Sequence, residues 1–251
     1  MKVSRVSIIT PCFNAQEYLD KMISSVILQT HKDWELIIVD DCSTDNSLRV
    51  INKYLGQDSR IRVIKLPIRL GTARARNRAI NLAKGRYLTF LDADDYWEVN
   101  FLKHSLKCIT NKEFIYSQYN IVSKDCKYLS TIKVITKVDK VKLLKGCPIS
   151  CLTAFIDTKK IGKKYFPLEA FREDLAYYIL LLKDINFAYG YNFCEANYRL
   201  HFNSSSSNKL RMSFLTFRDY LDYYKLPLIK ALFYFINYTI YGFSKFLRSR
   251  F

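Results

Sequence analysis

The sequence predicts an α/β protein built on a Rossmann-like, mostly parallel sheet with helices on both faces. Three observations lead there. Four short β-rich apolar runs occur within the first hundred residues, at Val3–Thr10, Leu36–Val39, Ile61–Leu66 and Tyr87–Leu91. Three segments with helical spacing of apolar residues separate them, the alternation expected of βαβ units. The unusual polar residues of this half, Pro11–Asn14, Asp40–Asp41 and Asp92–Asp95, all follow strand ends, and ligands sit beyond the carboxyl ends of the strands in such sheets.

The elements follow in order. Val3–Thr10 stops at Pro11, as a buried strand would. Asn14 is placed to cap a helix, with Glu17 three residues on. Ala15, Tyr18, Leu19, Met22, Ile23, Val26 and Ile27 then form one wide apolar stripe. After Leu36–Val39, Ser43 and Thr44 can cap a helix carrying Leu48, Ile51 and Leu55. Beyond Ile61–Leu66, Gly71 opens a helix to Lys84 and Gly85 signals its end. Tyr87–Leu91 runs into Asp92. From Phe101 the pattern loosens into a mixed region. Phe114–Val122 and Tyr128–Ile135 read as strands, Val138–Lys145 as a short helix, Arg172–Lys183 as a helix and Phe187–Leu200 as strand and loop. Ser204–Ser207 is a polar loop, and Leu215 to the end is aromatic, basic and helical in spacing. The expected division is one domain over residues 1–210 and a helical tail over 211–251.

The 251 residues suffice for one large domain with a real core. The formal charge of +17 is uneven. Residues 1–100 hold 15 Lys/Arg and 12 Asp/Glu, whereas residues 101–251 hold 25 and 11. A basic second half points to an anionic partner, although the run Lys124–Lys145 is equally a solvated face. Seven cysteines without a C-x-x-C pair argue against a zinc site or a disulfide framework. Met1–Arg5 lacks the apolar core of a signal peptide, so a cytoplasmic location is expected.

Three places carry chemistry. Asp92, Asp94 and Asp95 crowd one strand end, and such carboxylates raise one another's pKa unless a cation relieves them. Mg²⁺ or Mn²⁺ binds through one or two carboxylates plus diphosphate oxygens; a turn with capping aspartates is the plain alternative. Asp40 or Asp41 can accept from a uracil imide or ribose hydroxyls, or can simply shape a turn. On the helix Gly71–Lys84, Arg74 and Arg78 share a face and Arg76 points elsewhere. Guanidinium groups suit phosphate, and an exposed basic helix is the alternative.

The strings Val6–Asn14 (VSIITPCFN), Glu35–Ser43 (ELIIVDDCS), Ala75-Arg76-Asn77 through Gly85, and Tyr87–Asp95 (YLTFLDADD) resemble family 2 glycosyltransferases with the GT-A fold, in order and spacing. Cys12 and Cys42 depart from the family's commoner residues, and glycine at 42 would tolerate positive φ more easily. The resemblance implies that Thr10, Pro11 and Phe13 line the nucleotide base, that Asp41 holds it with Asp40 nearby, and that Arg76 contacts the nucleotide. Asp92 and Asp94 would be the D-x-D pair, with Mn²⁺ or Mg²⁺ held mainly by Asp94. Residues 1–100 become the nucleotide-binding half and 101–210 the acceptor half. Phe171-Arg172-Glu173-Asp174 resembles the family's E-D motif, which makes Asp174 the catalytic base. A carboxylate at a helix N-terminus stays ionised and could take the acceptor's proton, or merely cap the helix. Tyr198-Arg199-Leu200-His201 with Ser204–Ser207 resembles a Y-R-x-H…S segment of polysaccharide-building members. Glu173, Arg199 and His201 are thus candidate acceptor or diphosphate contacts.

The implied activity is inverting transfer from a nucleotide-diphosphate sugar, UDP-linked, to a hydroxyl of a growing bacterial surface glycan such as lipopolysaccharide or capsule on a lipid carrier. A nicotinamide dehydrogenase would need G-x-G-x-x-G where Pro11-Cys12-Phe13-Asn14 stands. A nucleotidyltransferase of nucleotide-sugar synthesis, the nearest rival, would need a Gly-rich basic loop there. A non-enzymatic binder of anionic polymers would explain the charge, but no zinc-finger or helix-turn-helix pattern appears, and no nucleic-acid partner is expected. Oligomers stay open. In the tail, Ala231–Ser244 is uncharged and too short for the ~20 residues of a membrane span. At helical spacing Lys230, Asn237, Tyr241, Ser244 and Arg248 fall on one stripe, with Leu232, Phe235, Ile236, Thr239, Phe243 and Phe246 away from it. Such a helix suits peripheral contact with the anionic inner face of the cytoplasmic membrane, where Lys245, Arg248 and Arg250 would meet lipid. Packing on the catalytic domain or on a second copy is the alternative.

Overall fold

The computed structural model describes residues 5–200 and 209–248. The expected α/β architecture is present. Strands β1 (Val6–Cys12), β2 (Trp34–Asp40), β3 (Ile61–Lys65) and β4 (Tyr87–Phe90) are parallel, in the order β3-β2-β1-β4. Helices α1 (Leu19–Ile27), α2 (Ser47–Leu55) and α3 (Thr72–Leu82) make the crossovers. The register aligns Ile9 with Ile37 and Phe90, which brings the carboxyl ends to one rim. Alternation along the strands separates two cores. Val6, Ile8, Leu36 and Ile38 pack on one face with Met22, Ile23 and Ile51, while Ile9, Ile37 and Val39 pack on the other with Ala75, Ala79 and Ile80. Both faces are covered, so the strands read as near-continuous apolar runs.

The second half extends the same sheet. It contains β5 (Tyr96–Trp97), α4 (Phe101–Cys108), β6 (Phe114–Val122), β7 (Tyr128–Ile132), β8 (Lys137–Val138) and α5 (Lys140–Lys145). A 3-10 turn at Cys151–Thr153, β9 (Phe155–Asp157), α6 (Thr158–Ile161), α7 (Glu173–Leu181) and β10 (Ala188–Arg199) follow. β9 runs antiparallel between β4 and β6 and joins the halves; the main path is β3-β2-β1-β4-β9-β6-β10-β5, with β7 paired to β6 and β8 to β10. The tail forms α8 (Lys209–Arg218), a π-helical turn at Asp219–Tyr223 and α9 (Leu228–Arg248).

Several local expectations need correction. Asn14 caps no helix; α1 starts only at Leu19. Asn14 adopts φ 49°, and its Oδ1 accepts from Thr44 N at 2.8 Å while its own N donates to Ser43 Oγ. Ser43 and Thr44 therefore tie two rim loops together instead of capping α2, whose first amide donates to Asp45 Oδ1. Gly85 lies beyond the end of α3. A Cβ there would stand 2.6 Å from the Arg5 carbonyl oxygen, so its small size serves a close approach of chains.

The tail packs on the domain along one face of α9. Ala231 is fully buried, Tyr234 and Phe235 join the core, and the Tyr241 ring lies against Gly146, where a Cβ would come within 2.5 Å of it. Tyr241 and Phe235 thus both face the protein, unlike the stripes drawn from the sequence. The opposite face exposes Ile229, Leu232, Phe233, Ile236, Ile240 and Phe243. The side chains of Ser244, Lys245, Phe246 and Arg248, and all of Arg250, lie outside the described residues, as do His201 and Ser204–Ser207. Among the described residues no helix is long and apolar enough to cross a membrane.

Candidate active site

The rim begins with β2. Cys42 sits at φ 64°, in the left-handed region suspected from its departure from glycine. The turn it makes directs the Asp41 carboxylate to the amides of Leu70 and Gly71, at 2.6 and 2.8 Å. Asp41 therefore fixes the loop that enters α3. Asp40 is buried and its Oδ2 accepts from Ser43 N at 3.3 Å. Its Oδ1 and the Thr10 hydroxyl are buried without partners. Thr10 is wholly covered on β1, so only Pro11 and Phe13 of the expected base-lining residues reach the surface. Arg69, which no sequence motif marked, stacks its guanidinium 3.8 Å from the centre of the Phe13 ring. Only the proximity of the two loops in space identifies it.

Helix α3 sorts its arginines as its periodicity predicts. Arg74 and Arg78 are exposed, whereas Arg76 is buried. The Arg76 guanidinium donates to Asp92 Oδ1 at 2.6 Å and lies 5.2 Å from the Phe166 ring. Burial opposes its charge, but Asp92, Cys151 and Glu173 more than offset that and keep it protonated. Its Nε has no partner. The next residue, Asn77, pairs with both backbone groups of Phe166, at 2.7 and 2.8 Å. Two adjacent residues of α3 thus hold the D-x-D loop and the segment leading to α7.

Asp92 and Asp94 are half-exposed, and Asp95 is buried beneath them with its Oδ1 accepting from Arg199 N at 2.8 Å. Burial, then Asp94 and Asp92, push the Asp95 carboxyl well above the usual carboxylate range. Among the described residues no group of three or more His, Cys, Asp or Glu is arranged to hold a metal ion. The donor set nevertheless fits a hard divalent cation that arrives with a diphosphate, because such a cation needs only one or two protein carboxylates. Asp94, and the Asp92 oxygen other than the Oδ1 that accepts from Arg76, could supply those.

Facing this loop, Glu173 and Asp174 open α7. Burial pushes Asp174 up, but Arg172, followed by the Leu175 amide and Arg76, brings it net below the carboxylate range. Burial raises Glu173, only partly countered by Arg76. Asp174 is therefore the more readily ionised carboxylate of the pair. The nearby Cys151 thiol is pushed up to about 12, chiefly by burial, and stays protonated. Arg199 reaches the cluster by its backbone, while its guanidinium is buried near the rings of Tyr18 and Tyr96 at 4.9 and 5.5 Å. It supports the D-x-D loop from beneath.

Comparison with known proteins bears on this arrangement. A model of the family described as glycosyl transferase family 2 matches residues 7–162. A Bacillus subtilis (strain 168) glycosyltransferase provisionally assigned to teichuronic acid biosynthesis, TuaG, is 38% identical over 240 residues, 93% of this chain and 94% of that protein. The Escherichia coli UDP-Glc:alpha-D-GlcNAc-diphosphoundecaprenol beta-1,3-glucosyltransferase WfgD is 35% identical over 243 residues, 96% of this chain and 94% of that protein. Among solved structures, the mannosyltransferase PcManGT from Pyrobaculum calidifontis, in complex with GDP-Man and Mn²⁺, superposes with a TM-score of 0.68. It is 16% identical and covers 92% of this chain and 70% of its own, a likeness of fold.

Proposed function

This chain belongs to glycosyl transferase family 2, and from that premise we propose an inverting, metal-assisted transfer of a sugar from a UDP-linked donor to a hydroxyl of a lipid-linked bacterial surface glycan. Glycosyl transfer itself follows from the family and from relatives alike over almost the whole chain. The observation that carries the finer reading is the position of Arg76. It bonds to Asp92 of the D-x-D loop and carries its charge beside Glu173, the residue before Asp174. One buried guanidinium thus lies between the D-x-D loop and the start of α7, which supports reading the two as parts of one site.

In this reading residues 1–100 bind the donor and 101–210 shape the acceptor side. Pro11 and Phe13 flank the base, Asp41 orders the loop beneath it, and Arg76 holds Asp92. Asp174 accepts the acceptor's hydroxyl proton as that oxygen bonds to the anomeric carbon. The bond from this carbon to the diphosphate breaks on the opposite face, and the diphosphate leaves with the electron pair, so configuration inverts. A divalent cation bound by Asp94 and Asp92 would offset charge on the leaving diphosphate. The UDP assignment is supported by the donor in the name of WfgD, and the cation by the Mn²⁺ complex of PcManGT.

The outer face of α9 fits the interface of an anionic membrane. Its apolar stripe is flanked by the exposed Lys225 and Lys230, and the second half of the chain carries most of the net positive charge. Each basic residue near such a surface contributes about 1 kcal/mol. In this reading the enzyme works at the inner face of the cytoplasmic membrane, beside a lipid-linked acceptor. Glutamates at Ile229, Ile236 and Ile240 should abolish sedimentation with phosphatidylglycerol vesicles; equal sedimentation of both proteins would remove the membrane from the proposal. The catalytic reading is tested with a panel of nucleotide sugars, with and without Mn²⁺. Asp174→Asn should keep donor binding and lower turnover by about 10²–10⁴. Near-native turnover would move the base to Glu173.

A further inference from the structure

The tail does more than cover apolar surface, because three of its side chains converge on the residue that holds Asp174. Arg172 grips Asp174 side-on, Nε to Oδ1 at 3.3 Å and Nη2 to Oδ2 at 3.2 Å. Its remaining nitrogen, Nη1, donates to the Tyr238 hydroxyl on α9 and to Thr216 Oγ1 on α8 at 3.4 Å. The backbone is held too. Asp219, in the π-helical turn, accepts from Phe171 N at 2.9 Å and Arg172 N at 2.7 Å. The Arg172 side chain is only 12% exposed, so water cannot readily replace these partners.

We propose that Tyr238 is a positioning residue for the catalytic base: it locks Arg172, and Arg172 locks Asp174. The proposal rests on the reading of Asp174 as the base. A planar guanidinium held at both ends can fix a carboxylate in distance and plane, which a lone ion pair on a loop cannot. A displacement of about 1 Å at such a group costs on the order of a hundredfold in rate. The C-terminal helix thereby becomes part of the active site, although it contributes no reacting atom.

The consequence is readable in the carboxyl itself. The groups facing Asp174 are Arg172 and Glu173 beside it, Arg76 of α3, Cys151 of the 3-10 turn, Tyr178 of α7, Asp219 of the π-helical turn and Tyr238 of α9. Arg172 is the foremost among those holding Asp174 low against its burial. Once Arg172 is unlocked, its hold on the ionised carboxylate weakens and the titration midpoint rises.

The experiment uses the full chain. The side-chain carboxyl of Asp174 is followed by carbon-13 NMR from neutral to acid pH, identified by its loss in Asp174→Asn. Tyr238→Phe should raise the midpoint and leave calorimetric affinity for UDP with Mn²⁺ unchanged. Tyr234→Phe, one turn earlier on the same helix and packed on the Tyr220 ring with no hydrogen bond to Arg172 among those of that side chain, should leave both unchanged. An unmoved midpoint in folded Tyr238→Phe overturns the proposal, as does an equal rise in Tyr234→Phe, which would mean general loosening. Thr216→Val reads the same lock if Tyr238→Phe does not fold. The midpoint is independent of whether Asp174 is the base, a question that Asp174→Asn turnover answers separately.

Discussion

Replacing Asp41 with asparagine separates two accounts of that carboxylate. The structure spends both oxygens on backbone amides, Leu70 N at 2.6 Å and Gly71 N at 2.8 Å, in a side chain that is almost wholly buried. Hydrogen bonds to a charged group are worth about 1.5–3 kcal/mol each. Asparagine keeps one acceptor and turns its NH₂ toward the second amide, so one bond is lost and two donors are opposed. The expected loss is about 2–3 kcal/mol. At about 2–4 °C per kcal/mol for a chain of this size, the melting temperature should fall by roughly 5–10 °C. Urea unfolding gives the stability, and calorimetry with UDP and Mn²⁺ gives the affinity. The affinity should fall as well, because the loosened loop carries Arg69 to the Phe13 ring. If UDP affinity collapses while stability stays within about 0.5 kcal/mol of the parent, the backbone role is wrong and Asp41 serves the base alone.

Other outcomes follow from the same geometry. Asp94→Ala should stay folded and lose the Mn²⁺-dependent part of its UDP affinity; unchanged calorimetric affinity rejects its assignment as the cation ligand. Cys42→Gly should stabilise by about 0.5–1 kcal/mol, the left-handed strain relieved less the entropy that glycine adds to the unfolded chain, as read from the urea midpoint. A base with depressed pKa works while ionised, so turnover should fall with a midpoint below the ordinary 3.8 of an aspartate. A midpoint above 4.5 would identify Glu173, whose carboxyl is raised, as the base instead.

The fold of the first hundred residues is legible in the sequence because its signals are local. Strand-helix alternation gave the sheet, and the register of α3 correctly set Arg76 apart from Arg74 and Arg78. Loop chemistry was less legible. Asn14 and Ser43 carry residue types that cap helices, but here they cap each other's loops, a choice made by tertiary proximity. The connecting strand β9 has only three residues, too few for a period to show. The E-D resemblance singles out Asp174, whereas its contact with Arg172 and that residue's reach to Thr216 and Tyr238, 44 and 66 positions away, leave no trace in spacing. The tail helix is illegible for a related reason: it has two apolar faces, so no single amphipathic stripe marks the one that packs.

Those two faces bear on how the protein can be handled. The exposed stripe from Ile229 to Phe243 will drive the purified enzyme to self-associate or to adsorb, and shortening the chain before α9 is the usual remedy. Here that cut would also remove Tyr238 and uncover the Gly146 surface on which Tyr241 rests. Recoding the outward positions with glutamate or lysine, and keeping the helix, is the route to a detergent-free preparation that retains its full catalytic architecture.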